Sequence, residues 1–114
     1  RVNLLFKRIH KVDQKNLIRR GKLSIDVSRY EVRLGDKKID LTFTEFELLK
    51  FLCGNPGTVF TREVLLNKVW GYEYRDEPHY VRLYINYLRQ KLEKDPADPK
   101  YILTERGVGY RFDG

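Results

Sequence analysis

The stretch "PHYVRLYINYLRQK" places two of its three tyrosines, one of its two leucines, an asparagine and a glutamine at spacings that meet on one face of a helix. At about 100° per residue, His79, Tyr80, Leu83, Asn86, Tyr87, Gln90 and Lys94 fall on one face. A merely solvated face carries Glu and Lys instead. Asn and Gln can pair bidentately with adenine, and an apolar side chain can meet the thymine methyl. Arg82 and Arg89 flank this face. Their charge suits phosphates, whose contacts position a protein on a duplex without specifying sequence. The same face equally suits a neighbouring domain or a dimer partner, because aromatic residues are enriched at protein interfaces.

A second candidate stands near the end, in "TERGVGYRF". Arg106 precedes Gly107 and Gly109 in what reads as a tight turn. An arginine at such a tip can enter a narrow A·T-rich minor groove, where negative potential is concentrated. Both glycines would allow positive φ and a close backbone approach to DNA. Thr104 and Tyr110 flank the tip with hydroxyls able to meet phosphates, and Tyr110 can equally be hairpin packing. The alternative for Arg106 is an exposed turn residue with no role.

These residues need elements to hold them. Opposite the polar face of the helix, Val81, Ile85, Leu88 and Leu92 form an apolar stripe expected in the core. Asp76 is the expected N-cap, with Pro78 in the first turn. "DPADP" ends the helix. The tail then reads as a hairpin, with strand 101–105, turn 106–109 and strand 110–112. Upstream, "TEFE" reads as a capping box in which Thr44 and Glu47 exchange hydrogen bonds. Phe46, Leu49, Leu52 and Cys53 make the buried stripe of that first helix, and "GNPG" stops it. "TVF" suggests a short strand. Thr61 can cap a second helix, "REVLLNKVW", with Leu65, Leu66 and Val69 inward.

The pattern before Thr44 is period 2. Leu23, Ile25 and Val27, then Tyr30, Val32 and Leu34, then Ile39, Leu41 and Phe43 alternate with polar residues. This predicts an antiparallel meander with one buried face. The order is sheet, three helices, hairpin, an α+β arrangement. Residues 1–20 differ: "VNLLFKRI" reads as the end of a helix and "HKVDQKN" as a linker, against the alternative of an unstructured tail.

Composition bounds the function. The 114 residues suit one domain, with a formal net charge of +7. Residues 1–20 hold seven of the basic side chains against one acid, and the remainder holds sixteen basic against fifteen acidic. Bulk charge therefore does not make the body a nucleic-acid binder, and local placement must. Cys53 is the lone cysteine, so no internal disulfide forms. No apolar run approaches the roughly 20 residues of a membrane span. The start lacks a signal peptide's apolar stretch and cleavage site, so the expected location is the cytoplasm. His10 and His79 are the two histidines, and neither belongs to a nucleophilic pair or a metal-spaced cluster. There is no phosphate-cradling glycine loop. The expectation is a protein that is not an enzyme and needs no cofactor or metal.

"LTFTEFELLKFL", "TREVLLNKVWG", "YINYLRQKLE" and "TERGVGYRF" resemble the winged-helix effector domain of OmpR/PhoB-type bacterial response regulators. The likeness runs unbroken over about residues 22–113. "PHYVRLYINYLRQKLEKDP" most resembles the KdpE-like branch. The resemblance implies a winged helix-turn-helix: a four-stranded N-terminal sheet, three helices and a C-terminal hairpin wing. Three front strands are clear in the pattern, and the fourth would involve Leu41–Phe43 or the stretch Leu17–Arg20. Residues 1–21 resemble the end of the receiver's last helix and the interdomain linker, with the effector domain at 22–114. The receiver and its phosphoacceptor aspartate lie outside this chain, and the sensor kinase would act through them.

The resemblance also implies roles. The recognition helix falls on residues 77–93 and the wing on 102–112. Base-facing positions fall on Tyr80, Leu83, Tyr84 and Tyr87. Helical spacing alone selects Tyr80, Leu83 and Tyr87, and puts Tyr84 nearer the core edge. Phosphate contacts fall on Trp70, His79, Asn86, Arg89, Thr104 and Tyr110, to which the flanking Arg82 is added, and the minor-groove arginine falls on Arg106. The loop with Tyr72, Glu73, Tyr74 and Arg75 matches one that can touch RNA polymerase in the family, and it reads equally as an ordinary loop. Some members carry Arg at the positions of His79, Asn86 and Tyr87, which implies here a site read more through A·T edges and methyls. The implied function is sequence-specific binding of double-stranded DNA for transcription regulation, as the output of a two-component phosphorelay. Pairing would be head-to-tail on direct repeats, with the fragment monomeric off DNA. The competing reading is a winged-helix interaction module that docks a protein partner through the third helix.

Overall fold

A computed structural model describes residues 17–113. The chain divides into two compact units, the first ending at Asp40 and the second beginning at Leu41. The helix-and-linker reading of the N-terminus covers residues 1–21; residues 1–16 lie outside the described residues, and Leu17–Arg20, read there as linker, form a strand.

The first unit is an antiparallel meander of β1 (Leu17–Arg20), β2 (Leu23–Asp26), β3 (Glu31–Leu34) and β4 (Lys37–Ile39), in that spatial order. Pairing of Ile18 with Ile25, Ile25 with Val32, and Val32 with Ile39 lays a row of β-branched side chains across one face. Such residues suit a pleated, half-buried surface. Leu23, Ile25, Val32 and Ile39 are buried. Of the two sequence candidates for the fourth strand, Leu17–Arg20 forms it. The alternation through Leu41 and Phe43 is not a strand: Phe43 opens a helix and is 66% exposed. Tyr30, also read as a strand position, sits in a turn at φ 54.

The second unit begins with α1 (Phe43–Cys53). Its capping box lies two residues before the expected Thr44 and Glu47. Thr42 Oγ1 accepts from the Glu45 amide at 3.3 Å, and Glu45 Oε1 accepts from the Thr42 amide at 2.9 Å. Both pairs fit the required spacing. A remote residue decides between them: Lys91 Nζ donates to the buried Glu45 carboxylate at 2.7 Å. The stripe of Phe46, Leu49, Leu52 and Cys53 is buried as expected, together with Leu48. The helix stops at Gly54, within "GNPG".

A two-residue strand, β5 (Phe60–Thr61), leads into α2 (Arg62–Leu65), where Thr61 caps by accepting from the Val64 amide at 3.2 Å. The expected nine-residue helix is α-helical only at its start. Leu66–Trp70 form a wider π turn, closed by the Gly71 amide donating to the Leu66 carbonyl at 3.0 Å. A 3₁₀ turn follows at Tyr72–Tyr74.

Next comes α3 (His79–Leu92), with Val81, Ile85, Leu88 and Leu92 all buried, as its periodicity predicts. Asp76 does not cap it. Pro78 occupies the cap position, already at helical φ and ψ, and the amides of Tyr80 and Val81 donate back to the carbonyls of Glu77 and Pro78. These tight i to i−3 bonds satisfy amides that a side-chain cap would otherwise serve.

The tail forms β6 (Ile102–Glu105) and β7 (Gly109–Phe112). This is more than the expected hairpin, because β5 pairs with β7 to give a three-stranded sheet in the order β5-β7-β6. The short strand expected at 58–60 shifts to Phe60–Thr61 to make that pairing. Gly109 is required for a reason other than the positive φ expected of it. A Cβ there would stand 1.9 Å from the Phe60 carbonyl oxygen.

Candidate nucleic-acid interface

Two buried carboxylates frame the second unit. Glu45 ties α1 to Lys91 on α3. Glu93, just past the end of α3, accepts from the amides of Lys100 at 2.7 Å, Tyr101 at 2.9 Å and Ile102 at 2.9 Å. A carboxylate is acceptor-only and can serve several donors at once. The start of β6 is thus held to the end of α3. Helical spacing does not single out Glu93, because its partners lie seven to nine residues further along the chain.

Arg89 makes a second bridge between these elements. Its Nε and Nη2 donate to the Ile102 carbonyl at 3.1 and 2.9 Å, and Nη2 donates to Thr104 Oγ1 at 2.7 Å. Its guanidinium carbon lies 5.8 Å from the centre of the Tyr110 ring. Burial pulls the guanidinium below the ordinary arginine value, and the neighbouring Tyr110 and Glu93 oppose that pull. Much of the donor capacity expected to meet phosphate is therefore committed within the protein. Thr104 accepts from Arg89, which leaves its own hydroxyl hydrogen to donate outward. Tyr110 is 7% exposed and sits in the central strand of the sheet.

The outward face of α3 divides in two. Leu83 and Tyr87 are exposed, as are His79, Arg82, Asn86 and Gln90. Tyr80 and Tyr84 are half-buried in an aromatic cluster. The Trp70 ring meets Tyr84 edge-on at 5.2 Å and stacks near Tyr80 at 6.4 Å. Tyr84 in turn meets Tyr87 edge-on at 5.3 Å. Edge-to-face geometry at these distances is the favoured one for aromatic pairs. The cluster holds Tyr87 in place while leaving part of it uncovered. His79 stands 3.5 Å from the Glu77 carboxylate. Beyond the cluster, Tyr72, Glu73, Tyr74 and Arg75 are all exposed, with Arg75 lying 4.5 Å over the Tyr72 ring.

At the hairpin tip, the Val108 amide donates to the Glu105 carbonyl at 2.9 Å, closing a turn with Arg106 and Gly107 at its centre. Gly107 has φ 79, the left-handed value that favours glycine. Arg106 is exposed there. Its neighbour Glu105 is bound by Arg111, which also lies 3.6 Å from Asp113. The Glu105 hydrogen bond raises the Arg111 pKa above its ordinary value. The acid beside Arg106 is thereby neutralised.

Between α3 and the wing lies a cleft of about 240 Å³, whose lining includes Arg62, Arg82, Thr104 and Arg106. Arg62 was missed by the sequence analysis. One signal was available: it is a cation in the first turn of a helix, where an acid is the electrostatically favoured residue.

The chain matches the family model described as "Transcriptional regulatory protein, C terminal" over residues 36–112. The chain belongs to this family, the effector domain of OmpR/PhoB-type response regulators. It is 43% identical over 96 residues to the KDP operon transcriptional regulatory protein KdpE of Escherichia coli K12, covering 84% of this chain and 43% of that protein. It is 45% identical over 91 residues to the DNA-binding response regulator MtrA of Mycolicibacterium smegmatis, covering 80% of this chain and 40% of that one. The chain thus spans less than half the length of the curated relatives it matches. Among solved structures, the response regulator DrrB of Thermotoga maritima, an OmpR/PhoB homologue, superposes with a TM-score of 0.82 at 39% identity, over 98% of this chain and 52% of that one. The DNA-binding domain of Klebsiella pneumoniae RstA, solved in complex with the RstA box, superposes with a TM-score of 0.78 at 32% identity, over 85% and 96%. The winged-helix fold and the family's place in transcription regulation follow from these matches. Among the described residues, no helix is long and apolar enough to cross a membrane.

Proposed function

We propose that this effector domain binds double-stranded DNA in a sequence-specific manner, with residues 77–93 in the major groove and the wing, 102–112, at the minor groove. The observation that carries this reading is the joining of two unlike surfaces. An exposed helix face with Leu83, Asn86 and Tyr87 stands next to a cleft whose arginines have no acidic partner among the described residues. A helix of this width fits the major groove. Leu83 and Tyr87 are the foremost base readers, with Tyr80 and Tyr84 supporting them from the aromatic cluster. Trp70, His79, Arg82, Asn86, Thr104 and Tyr110 meet phosphates, and Arg106 enters the minor groove. Arg89 contributes mainly by holding the wing, with its Nη1 group left for phosphate.

The parent protein, on this reading, is a cytoplasmic regulator switched by a sensor kinase through a receiver domain. Pairs assemble head-to-tail on direct repeats, and the exposed Tyr72–Arg75 loop faces RNA polymerase. Selection of the domain against a pool of randomised duplexes tests the central claim. Enrichment of a half-site, repeated in one orientation about one helical turn apart, is the expected result. No enrichment at low salt would transfer the third helix to a protein-docking role.

A further inference from the structure

We propose that Val108 is a specificity-determining residue of the wing, an apolar filter that excludes the exocyclic amino group of guanine from the minor groove beneath the tip. The proposal rests on the reading of the wing as a minor-groove element. In that groove A·T and T·A pairs present acceptors alone, whereas a G·C pair adds the N2 amino donor. The side chains of the tip, Glu105 to Val108, match the first pattern and not the second. Arg106 is donor-only. Gly107 has no side chain, and Val108 is apolar. Glu105 could accept from an amino group, but Arg111 already binds its carboxylate. A guanine amino group pressed against this tip would lose water and gain no side-chain acceptor, which is costly. Val108 is placed to make that contact. It is 55% exposed, and it lines the same cleft as Arg106, so the two share one side of the tip. Its amide donates to the Glu105 carbonyl at 2.9 Å, and the next residue, Gly109, begins β7 hard against the Phe60 backbone. Val108 is β-branched, so its χ1 is restricted. Methyl groups held in this way cannot turn aside as a long flexible side chain would. Rejecting the wrong base is a separate source of specificity, distinct from the attraction of Arg106 to a narrow groove.

The test measures the affinity of the 114-residue chain for a duplex that it enriches, with single pairs changed in the flank under the wing. Inosine in place of guanine removes the amino group, and 2,6-diaminopurine in place of adenine adds it. Neither changes the major-groove edge. For the wild type, a G·C pair at one flank position should weaken binding about tenfold, as for a buried donor left unpaired. Inosine there should restore the affinity, and diaminopurine should lower it again. Val108→Thr keeps the branched shape and adds a hydroxyl acceptor, so its inosine-to-guanine affinity ratio should fall to about twofold or less. Val108→Ala, which leaves room for water, should lower the ratio as well. Each ratio is taken within one protein, so a general loss of folding or affinity cancels. An equal inosine gain in the wild type and both variants would overturn the filter. The amino group would then act through groove width on Arg106, and Arg106→Ala would abolish the gain. A wild type indifferent to the amino group at every flank position would overturn the filter without any variant. Either result leaves the DNA reading intact, whereas failure of the wild type to enrich any duplex would remove both.

Discussion

On the proposed DNA-binding reading, Arg106 and Tyr87 have different tasks, and their variants should fail in different ways. Arg106 is exposed at the tip of a tight turn, and its acidic neighbour is neutralised by Arg111. Its field is therefore available to a narrow groove. Arg106→Ala should weaken binding most on duplexes whose flank under the wing is A·T-rich. Titrating matched duplexes with A·T-rich and G·C-rich flanks checks this, and equal losses would remove the wing assignment. Tyr87 is 38% exposed and braced edge-on by Tyr84. Because it is held rather than free, it can discriminate and does not only adhere. Tyr87→Ala should therefore alter the enriched motif in a site-selection experiment. A motif identical to that of the wild type would count against base reading. Each mismatched base pair in the motif should cost about 1–3 kcal/mol.

The wing's placement depends on contacts that are remote in sequence. Glu93 gathers three backbone amides at the start of β6, and Arg89 holds the Ile102 carbonyl and the Thr104 hydroxyl. Truncating Glu93 leaves at least one buried amide unpaired, at about 1–3 kcal/mol. Glu93→Ala should lower the thermal midpoint by roughly 5–15 °C at that energy, and Glu93→Gln, which keeps one acceptor oxygen, should recover part of the loss. Differential scanning calorimetry measures both. A midpoint unchanged by Glu93→Ala would mean that the ends of α3 and β6 are held by other contacts. Sequence periodicity could not show this bridge, because it describes one element at a time. Arg89 illustrates the limit. On a helical wheel it is a flanking cation suited to phosphate, and only the return of β6 beside it explains where its donors go.

For the molecule as a whole, affinity should be strongly ionic. With about four to six phosphates neutralised, the log–log dependence of affinity on salt should have a slope of roughly −4 to −5. A slope near zero in fluorescence-anisotropy titrations would favour the protein-docking reading. The element order and the buried stripe of α3 were legible because amphipathic spacing carries them locally. The capping register of α1 was not, since two overlapping Thr-x-x-Glu pairs compete and Lys91 decides between them. The pairing of β5 with β7 was hidden in two residues, too few for any period. The exposed face of α3 was legible in part. Tyr84 belongs with Trp70 at the edge, as spacing suggested, whereas Arg62 joins the cleft from a separate element, which the spacing within one helix cannot show.

The ladder at Gly109 also bears on how such a domain could change its preferences. At the base of the wing, the facing Phe60 backbone leaves no room for any side chain. At the tip, a Cβ on Gly107 would meet nothing within 4 Å, although the turn's φ still favours glycine. Gly109 is thus closed to substitution, while Arg106 and Val108 are exposed at the tip. On the proposed DNA-binding reading, a lineage could exchange the tip residues one at a time and retune minor-groove preference, leaving the crossing at Gly109 unchanged.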